Sequence, residues 1–148
     1  MYDRDTMYNS HRIGTGSELV AAAYYVSLGW IVSRPVDSHN EYDLVVDNGK
    51  TLFKIQVKTV YWSKPKKRYL VSCQTSSFRS KGLAIKKYTQ KSFDYLVAVE
   101  PKTNSLYQIP INKIIGRRGI TLYPEGIPNS RTGRYEDFEK YRITKPRT

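Results

Sequence analysis

The stretch KIQVKT, residues 54–59, alternates strictly: Lys54, Gln56 and Lys58 fall on one parity, and Ile55 and Val57, preceded by Phe53, on the other. Successive side chains of a β-strand point to opposite faces, so this pattern predicts a strand that buries Phe53, Ile55 and Val57. The other face carries two lysines and a glutamine. Those polar side chains are either the wet side of an ordinary strand or one wall of a site.

Just upstream, YDLVV (42–46) reads as a second strand, joined to TLFKIQVKTVYW (51–62) through DNGK, whose Asn48-Gly49 pair is a strong hairpin signal. With Asn48 and Gly49 as the two central turn residues, Asp47 is expected opposite Lys50, Val45 opposite Leu52 and Asp43 opposite Lys54. Paired residues share a face, which puts Asp43 on the side of Lys54, Gln56 and Lys58. A helix is expected from Thr15, whose spacing to Glu18 is that of a capping box, through ELVAAAYYVSL, where Leu19, Ala22, Ala23 and Val26 recur at helical spacing, to a stop at Gly29. WIVSRP is expected to be a strand ended by Pro35, YLVSCQ another, GLAIKKYTQKS a short helix, FDYLVAVE a buried strand, SLYQIPI a strand and INKIIG one or two helical turns. These elements add up to an α/β protein, a mixed sheet flanked by helices. Residues 1–148 read as one domain, with 117–148 a basic, irregular C-terminal extension.

A chain of 148 residues with 39% hydrophobic content can bury a core without disulfides. Cys73 is the single cysteine and His11 and His39 the two histidines, which excludes a disulfide framework or a Cys/His zinc centre. No apolar run approaches the ~20 residues needed to span a bilayer, and MYDRDTMYNSH is too polar for a secretory signal, so a soluble, cytoplasmic protein is expected. Lys and Arg outnumber Asp and Glu by 25 to 13, and Asn48 to Phe93 holds twelve basic residues and no acidic one. Such a field favours a polyanion, because cations that neutralise phosphates release condensed counterions.

Asp43 at the start of one strand, Gln56-x-Lys58 on its partner and Glu18 on the helix before them resemble the PD-(D/E)XK nucleases, most closely those encoded as homing endonucleases within bacterial group I introns. The resemblance is strongest over residues 14–60. It departs from the family pattern at two places: Tyr42 stands where a proline usually precedes the acid, and Gln56 replaces the second carboxylate. It implies a restriction-endonuclease-like core and a Mg²⁺-dependent, site-specific double-strand DNA endonuclease, with Mn²⁺ as a substitute metal, acting as a homodimer or homotetramer. Glu18, Asp43, Gln56 and Lys58 would be the catalytic residues. Glu18, Asp43, the Gln56 amide oxygen and the Val57 carbonyl would hold the metal, which requires hard oxygen ligands. Lys58 would orient the attacking water or stabilise charge on the phosphate. For contact with DNA the candidates are Lys64, Lys66, Lys67 and Arg68, then Arg79, Lys81, Lys86 and Lys87, then Arg117, Arg118, Arg131 and Arg134. Two alternatives stay open: a Holliday-junction resolvase of the same fold, and a non-catalytic DNA-binding module with a degenerate site. The residues also have plainer roles open to them, Glu18 as a helix cap, Asp43 as an ion-pair partner of Lys54, and Gln56 and Lys58 as a solvated strand face.

Overall fold

The computed structural model describes residues 4–37, 40–79, 82–128 and 135–144. In chain order they form the helix α1 (Arg4–Ser27) and the strands β1 (Ile31–Ser33), β2 (Leu44–Asp47), β3 (Leu52–Thr59), β4 (Tyr61–Ser63), β5 (Arg68–Ser72), β6 (Gln74–Arg79), β7 (Gly82–Lys87), β8 (Tyr95–Glu100), β9 (Ser105–Pro110) and β10 (Gly119–Leu122). The five-stranded sheet has the order β1-β2-β3-β8-β9, in which β3 and β8 run parallel and the other neighbours antiparallel. A three-stranded sheet, β10-β5-β4, and a two-stranded ribbon, β6-β7, complete it. This is the mixed α/β architecture expected, with one α-helix among the described residues rather than several.

Parallel neighbours need a long crossover, which in α/β folds is usually a helix. Here the chain leaves β3 and returns as β8 through β4, β5, β6 and β7. The expected helix at GLAIKKYTQKS is therefore a correction: residues 82–87 form β7, paired with β6 from Gln74↔Lys87 to Arg79↔Gly82. A helix this short is marginal without tertiary packing, and pairing with β6 overrides its weak local preference.

Two apolar layers flank the main sheet. On one side Ala21 and Tyr25 of α1 pack with Leu44, Val46, Ile55, Val57, Val97, Val99 and Leu106. On the other, Leu96, Ala98, Tyr107 and Ile109 meet Val60, Val71, Cys73, Tyr88, Phe93, Ile114, Ile120, Leu122 and Phe138. β8 is covered on both faces, which is why its sequence is a continuous apolar run rather than an alternating one. The segment after Arg117, without periodicity in the sequence, supplies β10 and Phe138 to the second layer.

The start of α1 is the second correction. The helix already runs from Arg4, so Thr15 and Glu18 lie in its interior and the capping-box spacing caps nothing. The face turned to the sheet carries Ser17, Ala21 and Tyr25, and leaves Leu19 and Val26 more than half exposed. The expected end holds. Gly29 has φ +81°, its N–H donates to the Val26 carbonyl and the Trp30 N–H to the Tyr25 carbonyl, the bonding of a Schellman cap. Trp30 stacks on Tyr25 with ring centroids 5.8 Å apart, the apolar contact that accompanies such a cap.

The β2–β3 turn is the third correction. Asp47 lies opposite Leu52 and Val45 opposite Lys54, so the loop holds residues 48–51 rather than two residues. The Asn48 side chain closes it by accepting the Lys50 and Thr51 N–H groups, each at 2.8 Å. The register is shifted by two positions from the expected one. Because the pleat has a period of two, Asp43 keeps its place on the face of Gln56 and Lys58.

A Cβ at Gly29 would meet nothing within 4 Å, so its cost is conformational alone. Gly29→Ala is expected to destabilise the fold by roughly 1 kcal/mol, from the left-handed backbone that alanine resists. Chemical denaturation of the two proteins checks this; unchanged stability would mean that the cap is not held in solution.

Candidate active site

Asp43 stands immediately before β2, where its N–H donates to the Ile55 carbonyl and its carboxylate accepts the Val57 N–H, both at 2.8 Å. These two bonds to β3 fix the carboxylate against the strand that carries Gln56 and Lys58. Glu18 arrives from α1. The neighbouring Ser17 hydroxyl is hydrogen-bonded to that of Thr59 at 2.7 Å, which pins the helix to the end of β3. Glu18 and Asp43 line one cleft of about 380 Å³, together with Arg34, Pro35, Val36, Asp37, Asn40 and Tyr42.

The polar face of β3 is not a solvated one. Ile55 and Val57 are buried as expected, but Lys54, Gln56 and Lys58 are themselves partly covered. Lys58 Nζ donates to the Gln74 carbonyl at 3.1 Å and lies 5.8 Å from the centre of the Tyr88 ring. Burial lowers its pKa, an effect opposed by the nearby Asp43 carboxylate. Gln56 Oε1 is buried without a hydrogen-bond partner among the described residues, and Nε2 lies 3.5 Å from the Val57 carbonyl. A buried carbonyl oxygen left without a donor carries a desolvation cost that a cation would remove.

Asp43 is pushed up to about 6, chiefly by burial; the Val57 N–H pulls the other way, Glu18 adds to the rise, and Lys58 and Arg34 oppose it. Two carboxylates facing one cleft are donor chemistry for a hard divalent cation, while Gln56, Val57 and Lys58 do not line that cleft and are joined to it through the Val57 N–H that holds Asp43. Among the described residues no group of three or more His, Cys, Asp or Glu side chains is placed to hold a metal. A cation in this cleft would rest on Glu18 and Asp43, a set that suits Mg²⁺ keeping several of its waters.

Arg34 is a site residue that the sequence does not announce. It follows β1, and Nη2 is bonded to Glu18 Oε2. Nothing in its sequence neighbourhood signals this, since the pairing spans sixteen residues and depends on how α1 lies beside the sheet.

The basic candidates distribute as follows. Lys64, Lys66, Lys67 and Arg68 are exposed on the β4–β5 hairpin, which continues the chain directly from β3 and closes with Ser63 opposite Arg68. Lys87 and Arg118 are exposed. Arg117 is engaged within the fold, paired with Glu136 and 5.6 Å from the centre of the Phe138 ring. Arg79 and Lys86 fall in β6 and β7. Lys81, Arg131 and Arg134 lie outside the described residues, as does His39.

The raised pKa of Asp43 makes a signed prediction. Between its ordinary value of 3.8 and about 6 the folded state keeps a proton that the unfolded chain has lost, so stability falls as pH rises through that window. Asp43→Asn retains an acceptor for the Val57 N–H and removes the buried charge. In metal-free buffer at pH 7 it is expected to stabilise the protein by on the order of 2 kcal/mol, with the gain vanishing below about pH 4. Denaturation at both pH values checks this, and a loss of stability at pH 7 would contradict it.

A family model described as PD-(D/E)XK endonuclease matches residues 8–144. Among solved structures, the chain is similar to a bacterial homing endonuclease, I-Ssp6803I, at 24% identity and a TM-score of 0.75, over 89% of this chain and 87% of that one. It is also similar, at 16% identity and a TM-score of 0.42, to MepB, over 88% of this chain and 87% of that one. No curated protein matches the sequence. The likeness to I-Ssp6803I concerns the fold, while the family match spans nearly all of the chain: this protein belongs to the PD-(D/E)XK endonuclease family.

Proposed function

We propose that this endonuclease is a Mg²⁺-dependent, site-specific double-strand DNA nuclease of the homing kind, intron-encoded and active as a homo-oligomer. The observation that carries the reading is the meeting of Glu18 and Asp43 on one cleft, with Lys58 close enough to Asp43 to favour its charged form. The sequence resemblance to intron-encoded nucleases and the fold shared with a homing endonuclease support the finer assignment.

A bound Mg²⁺ would supply Lewis acidity, lowering the pKa of an attacking water and neutralising charge on the phosphate. The chain's own contribution is positional. Asp43 is held by the Val57 N–H, so its oxygens reach the cleft without reorganisation. Lys58, tethered to the Gln74 carbonyl, offers its remaining donors to the attacking water or to the developing phosphate charge. Gln56 brings an oxygen and no negative charge, which leaves Glu18 and Asp43 as the anionic ligands. The exposed basic hairpin beside β3 would seat the duplex backbone. One site per chain favours a two-fold pair of chains on duplex DNA, and the exposed Leu19 and Val26, seven residues apart on α1, offer apolar surface for such pairing.

Cleavage of plasmid, linear duplex and four-way junctions with Mg²⁺ tests the reading. Wild-type protein is expected to cut duplex at a preferred site, and Asp43→Asn and Lys58→Ala to lose at least about a hundredfold in rate while still binding DNA. Turnover of Asp43→Asn near the wild-type rate would remove Asp43 from the site. Cutting confined to junctions of any sequence would favour a resolvase.

The hairpin has its own test. Lys66→Ala combined with Lys67→Ala should weaken binding to all sequences alike, and reduce the slope of log affinity against log salt by about 0.9 for each phosphate no longer neutralised. Arg68→Ala should instead cost roughly 1–3 kcal/mol at the preferred site and relax one base position. Titrations over several salt concentrations separate these effects, and no change in either variant would leave the hairpin without a role in binding.

A further inference from the structure

Arg34 lies on the carboxylate that the proposed cation needs. Its Nη2 bonds Glu18 Oε2, the two side chains are 52% and 25% exposed, and both border the cleft that Asp43 lines. A divalent cation bound at Glu18 repels the guanidinium and competes with it for the Oε2 lone pairs, which weakens the ion pair. Arg34 is more exposed than Glu18 and follows the short strand β1, so it is the partner with room to move. Because Arg34 lines the same cleft as Glu18 and Asp43, its head group once displaced is still within reach of a phosphate drawn to the cation. A guanidinium fork matches phosphate oxygens as well as it matches a carboxylate.

We propose that Arg34 is an exchangeable arginine of the nuclease site, holding Glu18 while the site is free of cation and released by cation binding to contact a DNA phosphate. The inference rests on the cation site proposed above. It predicts that cation and DNA bind with positive coupling, and that this coupling passes through Arg34 and is reciprocal.

The experiment uses the full chain, Ca²⁺ as the probe cation and a mixed-sequence duplex as the probe DNA. By calorimetry, Arg34→Ala is expected to bind Ca²⁺ about fivefold more tightly than wild type, the scale set by losing one exposed ion pair. Salt titrations of duplex binding supply the second readout. In Ca²⁺ the slope of log affinity against log salt should fall by about 0.9 in Arg34→Ala, the signature of one phosphate left without its cation. In EDTA the slopes of wild type and variant should coincide, because Glu18 already neutralises Arg34. Arg34→Lys should keep the wild-type slope in Ca²⁺. Unchanged Ca²⁺ affinity in Arg34→Ala overturns the proposal, and so does an equal fall in slope with and without Ca²⁺. Lowered thermal stability without either shift would show a merely structural ion pair and overturn it as well. Failure of the underlying site looks different: wild type would bind no Ca²⁺, or Glu18→Gln and Asp43→Asn would bind it as tightly as wild type.

Discussion

The Val57 N–H and the Asp43 carboxylate each meet a need of the other. A buried backbone donor without an acceptor is costly, and a buried carboxylate needs donors to remain charged. Their hydrogen bond satisfies both and sets the last turn of the chain before β2 against the middle of β3. The position of the acid against the polar face of β3 follows from that junction. Function adds a strain to it, because burial and the nearby Glu18 together push the Asp43 pKa upward. The carboxylate is thus held against its own electrostatics, a perturbation of the kind that clusters at functional sites.

The second determinant is what covers β3 on the side away from α1. A parallel pair, β3 and β8, requires the chain to cross over, and here the crossover is itself β-structure. Its return path brings the Gln74 carbonyl and the Tyr88 ring onto Lys58. A lysine that would be solvated on an open sheet becomes a fixed, partly desolvated donor. On the same face of β3 the Gln56 oxygen is buried and unpaired among the described residues. The excursion from β4 to β7 thus does two things, closing the sheet topology and converting a strand face into a site wall.

Charge balance differs from that of a nuclease with a second strand carboxylate. Gln56 removes one negative charge from the strand, and Arg34 neutralises Glu18 from outside. Lys58 and Arg34 both act to keep Asp43 ionised against burial. The exposed cations of the β4–β5 hairpin take no part in this balance and are the charges most screened by salt.

Period and punctuation were legible in the sequence. The alternation of KIQVKT, the continuous apolar run of β8 and the stop at Gly29 are local properties, set by the pleat, by burial on both faces and by a left-handed backbone. The facing of Asp43 toward Gln56 and Lys58 survived a register shift of two residues, because side-chain direction depends on parity and not on loop length. Long-range pairing was not legible. The capping-box spacing at Thr15 and Glu18 was overridden by a helix that starts by Arg4, and the helix expected at residues 82–87 gave way to pairing with β6. The Arg34 contact with Glu18 and the Lys58 bond to the Gln74 carbonyl each join residues sixteen apart in the chain. Such contacts carry no periodic trace, because they depend on where whole elements come to rest. Sequence alone determined which residue types the strands present and to which side; only the tertiary structure decided which of them are desolvated, because burial depends on what the rest of the chain lays over them.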